Sequence, residues 1–495
     1  MTALAPARLS GSHDHFVRRT GAVRAPRAVG QSENKSVHMA ALKPICRRNL
    51  ARLLVAGALY GVVAFPRVCS AADFGDEAVA TSEGDRRLAL HGQVTYVEQE
   101  TNSFSAPYTG PNSLSPDSGR ETADVTLYLG VRLWSAGELW LNPEIDQGFG
   151  LDDTLGVAGF PSGEAYKVGR KKPYLRLPRA FIRHVVNLGE RNDAVEDGAN
   201  QLAGTRSADR WVFTVGKFGV PDVFDVNQYA HDPRSDFLNW SAVDAGSFDY
   251  AADAWGFTVG ASAEWYHGAC TLRAGAFDLS DVPNSEHLEP GFHEFQLISE
   301  VEKRHELLGH PGKLLVTYYE SHGRMGLLDD AVRLAAETNT PVDIGAVRRF
   351  RKRVGVSASL EQELASNVGL FARAGKAGGN VEAYEFSDID RTMELGLSLK
   401  GSPWGRIADT IGLAAMVNGV SATRERYLDA GGLGILVGDG QLPHPGSERI
   451  AEAYYSAAIF SQVFATLDFQ RIVDPGYNRD RGPVSVLTVR FHAQF

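Results

Sequence analysis

Ser485-Val486-Leu487-Thr488-Val489-Arg490-Phe491-His492-Ala493-Gln494-Phe495 ends the chain, and its alternate positions carry different chemistry. Ser485, Leu487, Val489, Phe491, Ala493 and Phe495 share one parity, and Val486, Thr488, Arg490, His492 and Gln494 share the other. Side chains alternate across a strand, so this period of two describes a strand with one apolar face and one mostly polar face. The period recurs upstream. Ala123, Val125, Leu127, Leu129, Val131 and Leu133 interleave with Asp124, Thr126, Tyr128, Gly130 and Arg132. Trp255, Phe257, Val259, Ala261, Ala263 and Trp265 do the same, as do Val354, Val356, Ala358 and Leu360.

Membrane-crossing strands need about 9–11 residues and aromatic belts at both interfaces, which separates them from the shorter strands of a soluble sandwich. Trp255 and Trp265 bracket one run as belt residues should. Counting runs gives about sixteen strands, near 87–99, 122–134, 137–145, 174–188, 209–217, 254–266, 268–278, 292–303, 312–322, 351–363, 367–376, 390–400, 408–418, 449–460, 462–472 and 483–495, an even number within the bacterial range. Tight connections alternate with long ones at 100–121, 146–173, 218–253, 323–350 and 419–448, with a moderately long 189–208 on the short side. This rhythm predicts an all-β protein, a transmembrane antiparallel up-and-down β-barrel. It places the chain in the outer membrane of a Gram-negative bacterium with both termini periplasmic. A terminal aromatic on the lipid face is what outer-membrane assembly machinery recognises in such barrels, which makes Phe495 its expected contact.

Composition agrees. Hydrophobic residues are 43% and the mean hydropathy is -0.19, too polar for a bundle of membrane helices but ordinary for alternating strands. A net charge of -10 and a pI near 5.8 exclude a general nucleic-acid binder. Arg47, Arg48 and Arg52 flank the apolar run 53–65, which leads to Val68-Cys69-Ser70-Ala71-Ala72. A basic region, a short apolar core and small residues form a secretory signal, so 39–72 is read as leader, with cleavage after Ala71 or Ala72. Residues 1–38 then precede the true start at Met39 or form an extension, and 73–495 is the barrel. Cys46 and Cys69 fall in the leader, which leaves Cys270 alone and rules out an internal disulfide in the mature chain.

A Lys or Arg facing lipid costs roughly 2–4 kcal/mol at mid-bilayer, so charges within a clean alternation belong to the lumen. This assigns Glu138, Asn142, Glu144, Arg179, Arg183 and Glu264 to the pore wall, with Arg273, Glu294, Gln296, Glu300, Glu361 and Arg373. Both signs are present. Mixed donors and acceptors suit a neutral polyhydroxylated solute, whereas a single-sign ring would select ions. Arginines would also serve anions, so a pore for acidic small solutes stays open. The 218–250 segment crowds Asp225, Asn227, His231, Asp232 and Arg234 among aromatics and suits a loop that folds inward to narrow the pore. It has no calcium-loop pattern and too few histidines for zinc, so no metal and no cofactor are expected. The basic run at 348–353 suits contact with lipopolysaccharide. No Ser or His has a nucleophile's setting, which argues against a barrel lipase or any other enzyme.

The chain resembles the carbohydrate-selective outer-membrane porins, the OprB-type glucose porins. The resemblance runs from about His91 to Phe495 and is carried by His91-Gly92-Gln93-Val94-Thr95-Tyr96, Ala106-Pro107-Tyr108-Thr109-Gly110-Pro111-Asn112-Ser113-Leu114 and Leu141-Asn142-Pro143-Glu144. Most specific is Asn200-Gln201-Leu202-Ala203-Gly204 followed by Phe224-Asp225, Asn227, Tyr229, His231-Asp232-Pro233-Arg234, Phe237 and Asn239-Trp240-Ser241. It implies a single sixteen-stranded barrel, passive uptake of monosaccharides such as glucose, and a constriction containing Arg179, Arg183, Glu144, Asp232 and Arg234. It leaves monomer and homotrimer both open.

Overall fold

The computed structural model describes residues 87–495 apart from 166, 167 and 191. The expected leader and the extension before it lie outside the described residues. Strands run β1 Leu88–Thr101, β2 Gly119–Trp134, β3 Gly137–Gly148, β4 Arg170–Asn187, β5 Asn192–Val195 and β6 Gly204–Ser207. They continue as β7 Arg210–Phe218, β8 Thr258–His267, β9 Cys270–Asp278, β10 Phe295–Leu307, β11 His310–Met325 and β12 Arg349–Ala365. The last are β13 Val368–Ala377, β14 Arg391–Lys400, β15 Thr410–Gly419, β16 Glu448–Phe460, β17 Val463–Val473 and β18 Val484–Gln494. All but β5 and β6 close into one antiparallel barrel in chain order, and those two pair as a separate hairpin within the β4–β7 connection. Helices α1 Leu328–Thr338 and α2 Ala422–Asp429 pack together in the long connections. Among the described residues no helix is long and apolar enough to cross a membrane; crossing falls to the strands.

Closure is made where the chain ends. Gln93 pairs with Gln494 and Thr101 with Val486, so β18 seals against β1 along most of its length. Phe495 exchanges backbone hydrogen bonds with Gly92 at 2.9 and 3.1 Å. Its ring lies flat over that glycine, since a Cβ on Gly92 would stand 2.4 Å from the ring. Gly92→Val should therefore displace the terminal ring and lower the yield of folded barrel several-fold. Heat-modifiable mobility on a denaturing gel reads this directly.

The outward face carries Leu127, Val215, Val301, Leu395 and Leu467, all exposed on the isolated chain and apolar, as a lipid contact requires. Near the short-turn end Trp211 stacks on Phe213 and Trp265, with ring centroids 5.8 and 5.7 Å apart, and Trp265 stacks on His267. Trp255 does not belong to this belt, contrary to the alternation in the sequence. It lies before β8, where the Asp253 carboxylate accepts from the Trp255 and Phe257 amides and turns the chain inward. Its indole N–H donates to the Tyr174 hydroxyl at 3.0 Å.

The lumen holds a second layer. Residues 219–257, between β7 and β8, fold inside the barrel, and 237–254 is buried without a break. Inward aromatics of the wall sit on their cross-strand glycine partners: Phe277 on Gly260, Tyr319 on Gly355, Phe371 on Gly396 and Tyr454 on Gly412. Rings lying flat on glycine leave platforms instead of protrusions. Onto these the inward segment sets its own rings, Phe224 on Phe277, Phe248 on Tyr319, and Phe237 on both Phe371 and Tyr454, at 5.0 to 5.9 Å. Edge and tilted contacts of this kind contribute about 0.5–1.5 kcal/mol each beyond area burial.

A buried segment without regular structure must find partners for its backbone, and the wall supplies them. Glu300 accepts from the Asp225 amide, Glu361 from Gln228, Glu452 from Leu238 and Asn239, Glu394 from Gly246, and Gln296 from Ala251. Arg373 donates to the Ala230 and Ala242 carbonyls at 2.7 Å, and Arg490 to those of Pro233, Ser235 and Asp236. Glu300, Glu361, Gln296 and Arg373 thus face the lumen as the alternation indicates, yet their work is to grip the inward segment.

Candidate functional site

The opposite side of the lumen, formed by β2, β3 and β4, is where some charge, on Arg179, Arg183 and the facing Asp222, stays partly exposed. Across β3 and β4, Glu138 stands opposite Arg183, Asn142 opposite Arg179 and Glu144 opposite Arg176. Between the last two pairs β3 advances by two residues and β4 by three, a β-bulge. The extra residue lets both Arg176 and Arg179 point inward. Pro178 occupies the bulge, where its missing N–H removes nothing from the ladder.

Three arginines follow one another along β4. Arg179 makes a bidentate pair with Asp222 at 2.6 and 2.7 Å, and its guanidinium lies 4.8 Å from the Phe257 ring centre. Asp222 ends the helical turn Val220–Asp222 and caps the Gly219 amide at 2.9 Å. Burial pushes its carboxyl upward, and Arg179 more than offsets this, holding it below the usual carboxylate range. Arg176 donates to Glu144 at 2.8 Å and also to Asp146. Arg183 donates to the Asn200 carbonyl at 2.6 Å and stands 5.2 Å over the Phe181 ring.

A second centre surrounds Arg234 of the inward segment. Its guanidinium lies 3.5 Å from Asp124 and Glu144 and 3.1 Å from Glu164, which belongs to the 149–169 connection. Asp232 accepts from the Arg234 amide at 2.9 Å, and although burial opposes it, Arg234 keeps this carboxyl below its ordinary range. His231 lies 3.4 Å from Asp244; burial disfavours its charge, but that carboxylate raises it above an ordinary histidine.

From the short-turn end the β5–β6 hairpin enters the lumen. Asn142 donates to the Asn200 side chain at 2.9 Å, and Arg132 to the Ala203 carbonyl at 2.8 Å. Asn200 takes a left-handed backbone, φ 56°, which asparagine tolerates. Between this hairpin and the inward segment lies a cavity of about 420 Å³ lined by Phe181, Arg183, Asn200, Gln201, Thr214, Phe218, Asp222 and His231, among others. Donors, acceptors and aromatic faces meet there in one space.

The structure brings Arg179, Arg183, Asn142, Glu144, His231, Asp232 and Arg234 together between β2–β4 and the inward segment. Glu138 flanks this group, 4.0 Å from Arg132 and 3.8 Å from Arg206. Asp225, Asn227 and Glu264 sit elsewhere. Asp225 accepts from the Ala245 amide and faces Arg373, Asn227 folds its own turn by accepting from Tyr229, and Glu264 pairs with Arg273. Arg176, Asp124, Glu164 and Asn200 join the site without having been singled out for it in the sequence. Pro178 is the one signal that could have exposed Arg176, because a proline inside a central strand marks a bulge. Nothing in the unpatterned 149–169 stretch marks Glu164.

A closed membrane barrel whose lumen is narrowed by inward-folded segments, with paired arginines and carboxylates at the narrowing, is a porin. Within that class the chain belongs to the OprB family of carbohydrate-selective porins, whose family model matches residues 112–495. That membership places it in the outer membrane. The high-pH structure of Pseudomonas putida OprB shares the fold with a TM-score of 0.61 at 16% identity, over 83% of this chain and 94% of that one. The outer-membrane channel DcaP of Acinetobacter baumannii aligns at a TM-score of 0.45 and 10% identity, over 82% of this chain and 97% of that one. No curated protein matches the sequence.

Proposed function

We propose that this porin passes neutral monosaccharides such as glucose by passive diffusion, with the long connections outside the cell and both termini in the periplasm. The observation that supports it is the cavity between the β5–β6 hairpin and the inward segment. There the Arg183 guanidinium and Gln201 amide can donate to sugar hydroxyls, the Asp222 carboxylate and Asn200 can accept from them, and Phe181 and Phe218 offer ring faces. Binding at such a site is weak enough to release its solute, as conduction requires. Assembly through Phe495 and entry into the membrane by the strand-folding machinery belong to the same reading.

One observation favours anionic solutes instead. Arg183 and Arg210 donate to the carbonyls of Asn200 and Ser207 and lie over the Phe181 and Tyr266 rings, and neither has a carboxylate among the described residues within ion-pair distance. Planar-bilayer recording separates the two. Glucose should block the ion current at millimolar concentration while gluconate leaves it unchanged; block by gluconate alone would replace the sugar reading with the anionic one, and absence of channels would remove both.

A further inference from the structure

On the outer surface of the wall, near the long-connection end, basic residues project toward the lipid headgroup level. Lys352, Lys376, Arg391 and Arg449 occupy β12, β13, β14 and β16, and all four are exposed. The flanking members have protein counterions: Lys352 lies 2.9 Å from Glu320, and Arg449 3.0 Å from Asp474. The central two do not. Lys376 and Arg391 are direct cross-strand partners on one face, and neither side chain has an ion pair or hydrogen bond among the described residues. Like charges set directly opposite each other are destabilising in a sheet, so this pair lacks an anion.

Beneath the pair, toward mid-membrane, lies an apolar groove of about 510 Å³ walled by Val316, Val356, Ala374, Met393 and Val417. Gly419 adds no side chain to this face, and Arg391 lies across it, where a Cβ would come within 2.6 Å of its Nε. A phosphate clamp above an acyl-sized groove, on the lipid face, describes one kind of occupant. We propose that Lys376 and Arg391 bind a phosphate of lipid A, the anchor of lipopolysaccharide, with one of its acyl chains in the groove. A second copy of this chain would bring the same positive charges against themselves, which charge complementarity disfavours. The basic run at 348–353 is not this site. Arg348 pairs with Glu382, Arg351 lies near Asp330, Lys352 pairs with Glu320, and Arg353 turns inward to Asp249.

The proposal rests on the long connections lying outside the cell, which a membrane-impermeant label applied to intact cells tests separately. For the site itself, the purified full chain in detergent is titrated with hexa-acylated lipid A and binding is read by native mass spectrometry. The double variant Lys376→Gln/Arg391→Gln should bind about 10- to 30-fold more weakly than wild type, whereas Lys352→Gln/Arg449→Gln should stay within about twofold. Dephosphorylated lipid A should bind wild type no better than the first variant binds lipid A, a comparison that needs no altered protein. Unchanged affinity in the first variant overturns the site. Phosphatidylglycerol binding as tightly as lipid A overturns the choice of lipid, and loss of an oligomer in the first variant shows that a second copy occupies the groove.

Discussion

Asp249→Ala should raise single-channel conductance several-fold and abolish sugar block while the barrel remains folded. Asp249 lies in the inward segment and accepts from four successive backbone amides, those of Tyr384, Glu385, Phe386 and Ser387, at 2.7 to 3.2 Å. It also takes a 2.5 Å hydrogen bond from Arg353, and both side chains are fully buried. Burial alone would push this carboxyl upward; Arg353 and the amide nest hold it below the usual range. Removing the carboxylate leaves the buried guanidinium with the Gly378 carbonyl at 3.3 Å and Asp390 at 3.8 Å. Breaking a buried pair in this way costs about 3–5 kcal/mol. The cost falls on docking of the segment and not on the strand ladder, because Asp249 makes no ladder bond. About 3 kcal/mol multiplies the undocked population by roughly a hundredfold. Asp249→Asn keeps the shape and an acceptor but loses the charge, and should lie between. Conductance and block unchanged in Asp249→Ala would show that the aromatic platforms alone hold the segment.

This prediction depends on a layer that the sequence only half discloses. Alternation told which side of the wall a residue faces, and each expected strand from 87–99 to 483–495 has its counterpart from β1 to β18, leaving out the hairpin β5–β6. Membrane strands are legible because lipid enforces the apolar face residue by residue. What stands on the other side of a lumenal side chain has no such period. Glu300, Glu361 and Arg373 read as hydrated pore wall, and only the packed structure shows each of them meeting backbone of the 219–257 segment. The same blindness hid Arg176, where a bulge replaces a period of two by three, and misplaced Trp255, where the Asp253 turn imitates a strand's alternation. The β5–β6 hairpin was visible only as a connection too long for a turn.

The inward segment therefore divides the lumen by function. Toward β9–β16 it is anchored by fully buried carboxylates and arginines, and solute has no access there. Toward β2–β4 it presents Asp222, His231 and Arg234 to the wall, and the remaining space follows that side. In the proposed function, charges on the anchored side hold the segment in place and charges on the open side act on the solute.

Arg179→Gln is the sharpest test of the open side. The substitution removes both hydrogen bonds of the Arg179–Asp222 pair and leaves the Asp222 carboxylate at the narrowing without its nearest positive charge. Two outcomes follow. Arg179 orients Asp222, a proposed acceptor for the sugar, so sugar block should weaken about 10- to 100-fold, the equivalent of the roughly 1.5–3 kcal/mol of a charge-assisted hydrogen bond. The pore should also become more cation-selective, read as a shifted reversal potential in a salt gradient. The shift must depend on pH with a definite sign. In wild type, Arg179 depresses the Asp222 pKa, so the pair's contribution is present above the ordinary carboxylate pKa, about 3.9, and is lost as pH falls through the lowered value. Without Arg179, burial prevails and Asp222 titrates at higher pH than in wild type. Cation selectivity in Arg179→Gln should then fade on acidification while wild type still holds its charge. Adding Asp222→Asn to Arg179→Gln removes the stray charge and should return selectivity toward wild type, yet leave block weak, because selectivity follows net charge and sugar binding follows the oriented carboxylate. Block at wild-type strength in Arg179→Gln would place the sugar contacts elsewhere, with Arg183 and Asn200 the next residues to change.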